Sequence, residues 1–128
     1  MLDALGLGLT CDSAGAVRAY DRAVDAYLHA WPGTDAALGE ALAAAPDFAL
    51  AHTLRALQAA VYMRRADVAP AIEAAQRLAA AASERERSHV AMFANLLQGR
   101  AVEALDGALA HVARWPSDAL VAAMPCGA

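Results

Sequence analysis

The sequence contains no lysine, few aromatic residues and only two cysteines. Aromatic residues make up 5 % of the chain and β-branched residues are sparse, which argues against a β-sheet. Cys11 and Cys126 stand at opposite ends of the chain, so they form neither a metal-binding spacing nor a disulfide framework. A reducing cytoplasm is the simplest setting for such a chain.

Long apolar runs and an excess of positive charge are also missing. No apolar stretch is long and uninterrupted enough to span a bilayer. The apolar N-terminus lacks the basic residues of a signal peptide and carries Asp3. The net charge of -4 gives no electrostatic footprint for nucleic acid. We therefore expect neither nucleic acid nor a membrane as a partner.

Alanine accounts for much of the 59 % of residues that are hydrophobic. Alanine is the best helix former, and its small side chain lets helices approach closely. The length of 128 residues is enough for one domain with one core. The alanine excess and the exclusive use of arginine as the basic residue indicate a GC-rich, bacterial coding sequence.

Helix-breaking residues divide the chain into pairs of helices. The main breaks fall at Pro46, Ser83 and Pro116, which are 37 and 33 residues apart. A period near 34 residues with two helices in each unit is typical of tetratricopeptide repeats. The sequence therefore predicts an all-α domain of stacked antiparallel hairpins, a tetratricopeptide-like α-solenoid of about six to seven helices. The hairpins cover about 13–45, 47–82 and 83–115, and a further helix starts within 118–124.

Apolar spacings of three and four residues predict which side of each helix is buried. The first helix places Tyr20, Tyr27 and Trp31 on one stripe, so we expect them in the core. The segment from Ser83 to Glu86 has the pattern of a capping box. For the sixth helix the apolar stripe is expected to face inward; its members are Val102, Leu105, Leu109 and Val112.

The order of these segments resembles the N-terminal part of the tetratricopeptide repeat protein 38 family. The matching pieces are Leu9-Thr10 with Asp12-Ser13, Tyr20-Asp21 with Tyr27 and Trp31, Ala41-Leu42 with Pro46-Asp47-Phe48 and Ala51-His52, Arg85-Glu86 with His89-Val90, Gly99, and Pro116 with Asp118-Ala119-Leu120. The tail from Met124 to Ala128 departs from this pattern. The resemblance implies a helical-repeat protein with no established catalytic residues, truncated from a longer chain, whose open repeat face favours self-association.

A helical-repeat scaffold that binds a protein or peptide is the function that the sequence favours. In such stacks the inner faces of the first helices form a groove for a partner. The candidate groove residues are His52, Arg55, Arg87 and His89, and the two arginines are expected to contact an acidic group of the ligand. We expect no catalytic residues, no bound metal and no cofactor.

The alternative is a metal- or ligand-binding accessory, or an enzyme fragment, with a centre made of His52, His89 and Glu86. Two imidazoles and a carboxylate can hold zinc or act as an acid–base pair. Capping of the fifth helix competes for Glu86, and each histidine can instead fill a bulky position in its own repeat. Convergence of the three side chains would favour this alternative.

Overall fold

The computed structural model describes residues 1–123, so residue 124 of the expected last helix and Cys126 lie outside the described residues. Seven helices make up this part of the chain. They are α1 (Ala14–Leu28), α2 (Thr34–Ala44), α3 (Ala49–Val61), α4 (Arg65–Ala79), α5 (Glu84–Leu97), α6 (Ala101–Arg114) and α7 (Ala119–Ala123).

The odd-numbered helices begin at a regular interval. They start at Ala14, Ala49, Glu84 and Ala119, so each begins 35 residues after the one before it. Each of the first three is followed, after a short turn, by an even-numbered helix that packs along it. The connections of three to five residues make these pairs antiparallel. The predicted all-helical fold with packed neighbouring helices is confirmed.

The turn after each of α1, α3 and α5 repeats the same backbone geometry. Ala30, Met63 and Gly99 adopt left-handed conformations, with φ of 54°, 60° and 83°. The amide of the next residue then donates to a carbonyl five residues earlier, as Trp31 does to Ala26 at 2.8 Å. This arrangement satisfies carbonyl groups that the end of a helix leaves free. It also ends α1 at Leu28, four residues before the helix-breaking Pro32.

Alanine fills much of the core between the helices. Fully buried alanines, Ala16, Ala23, Ala41 and Ala75 among them, let the helices approach closely, and larger side chains such as Leu50 fill the remaining space. Besides the three pairs, α3 packs against α5, and α4 packs against α5. The core is therefore continuous from the first pair to α7.

Two predictions of buried residues are wrong. On α6 the buried side chains are Ala104, Ala108 and His111, whereas the predicted inward residues Val102, Leu105 and Leu109 are 72 %, 47 % and 56 % exposed and Val112 is half-buried. The small alanines allow α6 to lie close to α5. Trp31 is 58 % exposed because α1 has already ended, and its ring stacks on that of His29.

The first eleven residues form an irregular segment that returns on itself. The backbone groups of Met1 and Leu9 exchange hydrogen bonds, and Leu9 is buried. The segment lies beside α1, α5 and α7 and contacts side chains from all three. None of the described helices has the length and apolar character needed to cross a bilayer.

Candidate functional site

An open cleft lies where α3 and α4 meet the start of α2. Its volume is about 560 Å³. The polar residues that line it are His52 and Arg55 of α3, Arg64 and Asp67 at the start of α4, and Asp35 of α2. We call it the outer cleft. Two of the four predicted groove residues, His52 and Arg55, therefore share one concave surface.

The polar groups of the outer cleft differ in how far they are already paired. Arg64 donates to the Asp35 carboxylate at 3.2 Å. The His52 Nε2–H donates to the Pro46 carbonyl at 2.7 Å. The exposed guanidinium of Arg55 has no hydrogen-bond or ion-pair partner among residues 1–123. Arg55 is thus the cation that this cleft offers to a ligand.

The other two predicted groove residues do not join this surface. Arg87 is exposed on α5, does not line the outer cleft, and donates to the Ala82 carbonyl at 2.5 Å. His89 is fully buried, with 0 % of its surface exposed. The prediction that His89 contacts a partner is therefore wrong, because its imidazole faces a buried carboxylate instead.

That carboxylate belongs to Asp118, the residue before α7. Its Oδ2 accepts hydrogen bonds from Arg85 Nη1 at 3.0 Å, His89 Nδ1 at 2.8 Å and His111 Nε2 at 2.8 Å. All four side chains are buried. We call this set the buried cluster. It joins α5, α6 and the start of α7 through one oxygen atom.

The hydrogen bonds of the buried cluster show which nitrogen of each imidazole faces Asp118. His111 donates through Nε2–H to Asp118, and its Nδ1 lies 2.7 Å from the Ser88 hydroxyl oxygen. His89 donates through Nδ1–H, and its Nε2 is buried without a partner among the described residues. Asp118 also faces the buried guanidinium of Arg85, so a positively charged partner lies beside its carboxylate.

The surroundings of Asp118 keep its carboxyl group ionised. Burial by itself raises the pKa of the Asp118 carboxyl, because it disfavours the charged form. The hydrogen bonds and charges supplied by His89, His111 and Arg85 outweigh burial and hold the pKa well below its usual range. Asp118 is therefore ionised, and it needs its three donors to remain so in the interior.

Three residues of the buried cluster, His89, His111 and Asp118, have the composition of a zinc site. The ligand atoms of His89, His111 and Asp118 lie within 4.8 Å of one another, and two imidazoles with a carboxylate suit zinc. However, Arg85 already occupies Asp118 with a positive charge. A divalent cation would add two charges to a buried site with only one carboxylate, which is costly. The hydrogen-bonded arrangement is therefore favoured over a metal centre.

The predicted centre of His52, His89 and Glu86 is not assembled. Within residues 1–123 the one group of three candidate ligands that converges is the one in the buried cluster, which lacks His52 and Glu86. Glu86 caps α5, as the capping box predicts, and its Oε1 also accepts from the Thr10 amide at 2.9 Å and from the Thr10 hydroxyl. Glu86 thus anchors the N-terminal segment.

Ser88, His111 and Asp118 are connected like a serine nucleophile, its base and the residue that orients the base. Such a triad also needs a substrate cleft and amide donors that stabilise an oxyanion. Ser88 lines neither the outer cleft nor any of four smaller clefts among residues 1–123. Ser88 lies within α5, where the backbone amides bond within the helix. The connection therefore serves to orient the His111 ring.

The sequence contained a signal for the buried cluster that its apolar pattern hid. Arg85, His89 and Phe93 are spaced four apart, so they lie on one row of α5. Phe93 is the aromatic member of this row and is fully buried, so the two polar residues of its row face the interior as well. No family model, curated protein or solved structure matches the chain.

Proposed function

We propose that this chain is a tetratricopeptide-like helical-repeat scaffold that binds a protein or peptide. Four helices that start 35 residues apart, with three of them paired to a second helix, support a repeat architecture. The repeated left-handed turn after α1, α3 and α5 supports it as well. Stacked hairpins present elongated surfaces to partners rather than deep enclosed sites.

The observation that carries the proposal is the outer cleft with its unpaired cation. Arg55 projects into a cleft of about 560 Å³ whose other arginine is held by Asp35. A guanidinium binds carboxylates through two parallel hydrogen bonds. The ligand expected here is an acidic side chain or the C-terminal carboxylate of a peptide. Asp67, which also lines the cleft, restricts where that negative charge can lie.

Peptide display against the immobilised full chain tests this proposal. We expect the selected peptides to be enriched in Asp and Glu and to bind more weakly as salt is added. Arg55→Glu should lower their affinity by about tenfold or more, since it replaces an attraction with a repulsion. Arg87→Glu is the matched control, because it makes the same charge change outside the outer cleft.

Two results would contradict the proposal. One is a set of selected peptides with no acidic preference. The other is an equal loss of affinity in Arg55→Glu and Arg87→Glu, which would reflect net charge rather than a site. Circular dichroism of both variants checks that the helices are intact; exposed arginines are expected to tolerate the change.

A further inference from the structure

An exposed tryptophan lines a cleft between the first two helices. The cleft has a volume of about 400 Å³, and its walls come from α1, the turn that follows it and α2. Trp31, which is 58 % exposed, borders it together with the charged residues Arg22, Asp25 and Glu40. We call it the tryptophan cleft. Tryptophan is among the side chains that contribute most to binding at protein interfaces, so this cleft is a candidate binding surface.

Neighbouring groups hold the Trp31 ring in position. The Trp31 amide donates to the Ala26 carbonyl at 2.8 Å. The indole stacks on the imidazole of His29, with ring centres 4.3 Å apart and planes 15° apart. His29 is fixed in turn, because its Nδ1–H donates to the Asp25 carbonyl at 2.8 Å. The imidazole covers one face of the indole and does not line the cleft. A ligand would therefore meet the remaining surface of a ring that has little freedom to lose on binding.

The charged groups of the tryptophan cleft leave one carboxylate unpaired. Arg22 forms an ion pair with Glu40. The Asp25 carboxylate has no hydrogen-bond or ion-pair partner among residues 1–123, where only its backbone carbonyl accepts a side chain. The face of an indole also carries partial negative charge, which attracts cations. The ring and the free carboxylate together therefore favour a positively charged ligand.

The second tryptophan of the chain shows which cation suits such a ring. The guanidinium carbon of Arg114 lies 4.4 Å from the centre of the Trp115 ring, and the same guanidinium pairs with the Glu84 carboxylate. A planar cation thus contacts an aromatic face and a carboxylate at once. Trp31 and Asp25 supply the same two groups, but no described guanidinium lies over the Trp31 ring. The tryptophan cleft therefore resembles the Trp115 arrangement without its arginine.

We propose that the tryptophan cleft binds an arginine side chain of a partner protein, with the guanidinium against the Trp31 indole and paired with Asp25. A lysine ammonium is more strongly hydrated and cannot stack as a planar group, so arginine fits better. The described linings of the tryptophan cleft and the outer cleft share no residue, and the two clefts favour ligands of opposite charge. Binding of arginine here therefore does not depend on the function proposed for the outer cleft.

An NMR titration of the full chain with a Gly-Arg-Gly peptide, blocked at both ends, tests the proposal. The two tryptophans give two indole N–H signals, and Trp31→Phe assigns them. We expect the Trp31 signal to shift with about millimolar affinity. The Trp115 signal should stay in place, because Arg114 already covers that ring. A peptide with citrulline in place of arginine keeps the shape without the charge, and it should bind about fivefold more weakly or less.

Substitutions in the chain test the two contacts separately. Asp25→Asn should weaken binding of the arginine peptide about fivefold, because it removes the carboxylate and keeps the backbone carbonyl that holds His29. Asp106→Asn is the matched control, since it makes the same charge change on the exposed side of α6. Arg114→Ala uncovers the Trp115 ring beside Glu84, so the Trp115 signal should then respond to the peptide.

Several outcomes would overturn the proposal. A Trp31 signal that does not shift, or that shifts equally with the citrulline peptide, would show that no cation is bound there. An equal loss of affinity in Asp25→Asn and Asp106→Asn would attribute binding to net charge. A Trp115 signal that stays in place in Arg114→Ala would remove the reason for choosing a guanidinium. A Trp31 signal that moves with protein concentration alone would make the occupant a second copy of the chain.

Discussion

At the scale of single residues, Asp118 is a buried carboxylate on which several side chains converge. One of its oxygen atoms accepts from three donors, and all of these side chains are buried. A buried ion pair adds little net stability compared with an apolar substitute, but removing one partner leaves the other charge uncompensated. The buried cluster therefore affects the stability of the fold mainly when one member is removed, because the remaining charge then stays buried without a partner.

Replacing Asp118 should be among the most damaging single changes. Asp118→Asn removes the negative charge and leaves Arg85 buried without a counter-ion, so we expect the free energy of unfolding to fall by about 3–5 kcal/mol. That is a large part of the roughly 5–15 kcal/mol that stabilises a domain. Urea denaturation measures it. Asp106→Asn, on the exposed side of α6, should change little.

The pH dependence of stability provides a second measurement on the same residue. The pKa of Asp118 is lower in the folded chain than in the unfolded chain. Its contribution is therefore present above the ordinary carboxyl pKa of about 3.9 and is lost as pH falls below that value. Asp118→Asn should show a shallower loss of stability in this acid range. Parallel curves for the two proteins would contradict the ionised, hydrogen-bonded role of Asp118.

At the scale of helices, periodicity identifies which residues share a face, but not which face is covered. On α3 spacings of three and four place Leu50, Leu54, Leu57 and Val61 on one stripe; the three leucines are buried, whereas Val61 at the end of the helix is 59 % exposed. The equivalent reasoning failed on α6, where Ala104 and Ala108 face α5 instead. α6 carries two apolar stripes, one of bulky aliphatic residues and one of alanines. Hydrophobicity favoured the bulky stripe, whereas close helix approach selected the small one.

The same limit applies to the candidate site. His52 and Arg55 were predicted from their position on α3, and the outer cleft contains both. The buried cluster was missed because Asp118 follows a helix break and His111 lies in the last turn of α6, and neither position indicates a buried polar group. Their pairing depends on how α5, α6 and α7 meet, and one-dimensional spacing does not contain that information. Only the row Arg85, His89 and Phe93 indicated that polar groups enter the core.

The repeated left-handed turns predict changes in stability of opposite sign at equivalent positions. Adding a Cβ there should destabilise the chain, and removing one should stabilise it. Gly99→Ala should destabilise the chain by about 1 kcal/mol, because a Cβ is strained at positive φ. A Cβ there meets no atom within 4 Å, so the cost is one of backbone conformation alone. Ala30→Gly should stabilise by about 0.5 kcal/mol, since relief of strain exceeds the added flexibility of the unfolded chain.

Thermal denaturation of the two variants, and of Met63→Gly as a third, checks these signs. Gly39→Ala is the matched control, since Gly39 lies within α2 at ordinary helical φ. It should stabilise, because alanine is the better helix former. Loss of stability in Ala30→Gly would mean that its methyl group contributes more through contacts than its backbone costs.

At the scale of the whole molecule, charge and apolar surface are separated between faces. The outer cleft presents arginine and aspartate, whereas a cleft between α1, α3, α5 and α7 has no charged residue in its described lining. The buried cluster holds the last hairpin, α7 and the N-terminal segment together, since Arg85 also donates to the Gly8 carbonyl at 3.0 Å. The outer cleft lies apart from this connection, because its lining residues belong to α2, α3 and α4 or directly precede α4.

The outer face of α6 gives the last prediction. Val102, Leu105 and Leu109 form an exposed stripe at spacings of three and four, on the last complete hairpin of residues 1–123. A contiguous exposed apolar surface favours association, and a straight stripe on a helix can pair with the same stripe of a second chain. We therefore expect concentration-dependent self-association through α6.

Analytical ultracentrifugation measures this association. The double variant Leu105→Gln with Leu109→Gln should shift the chain towards monomer without unfolding it, because both side chains are already exposed. Leu2→Gln is the control, since Leu2 is 64 % exposed on the N-terminal segment. If Leu2→Gln dissociates the chain as effectively, association depends on general apolar exposure rather than on α6. A wild-type chain that stays monomeric at high concentration would refute the prediction, and the α6 stripe would then carry no interface between copies.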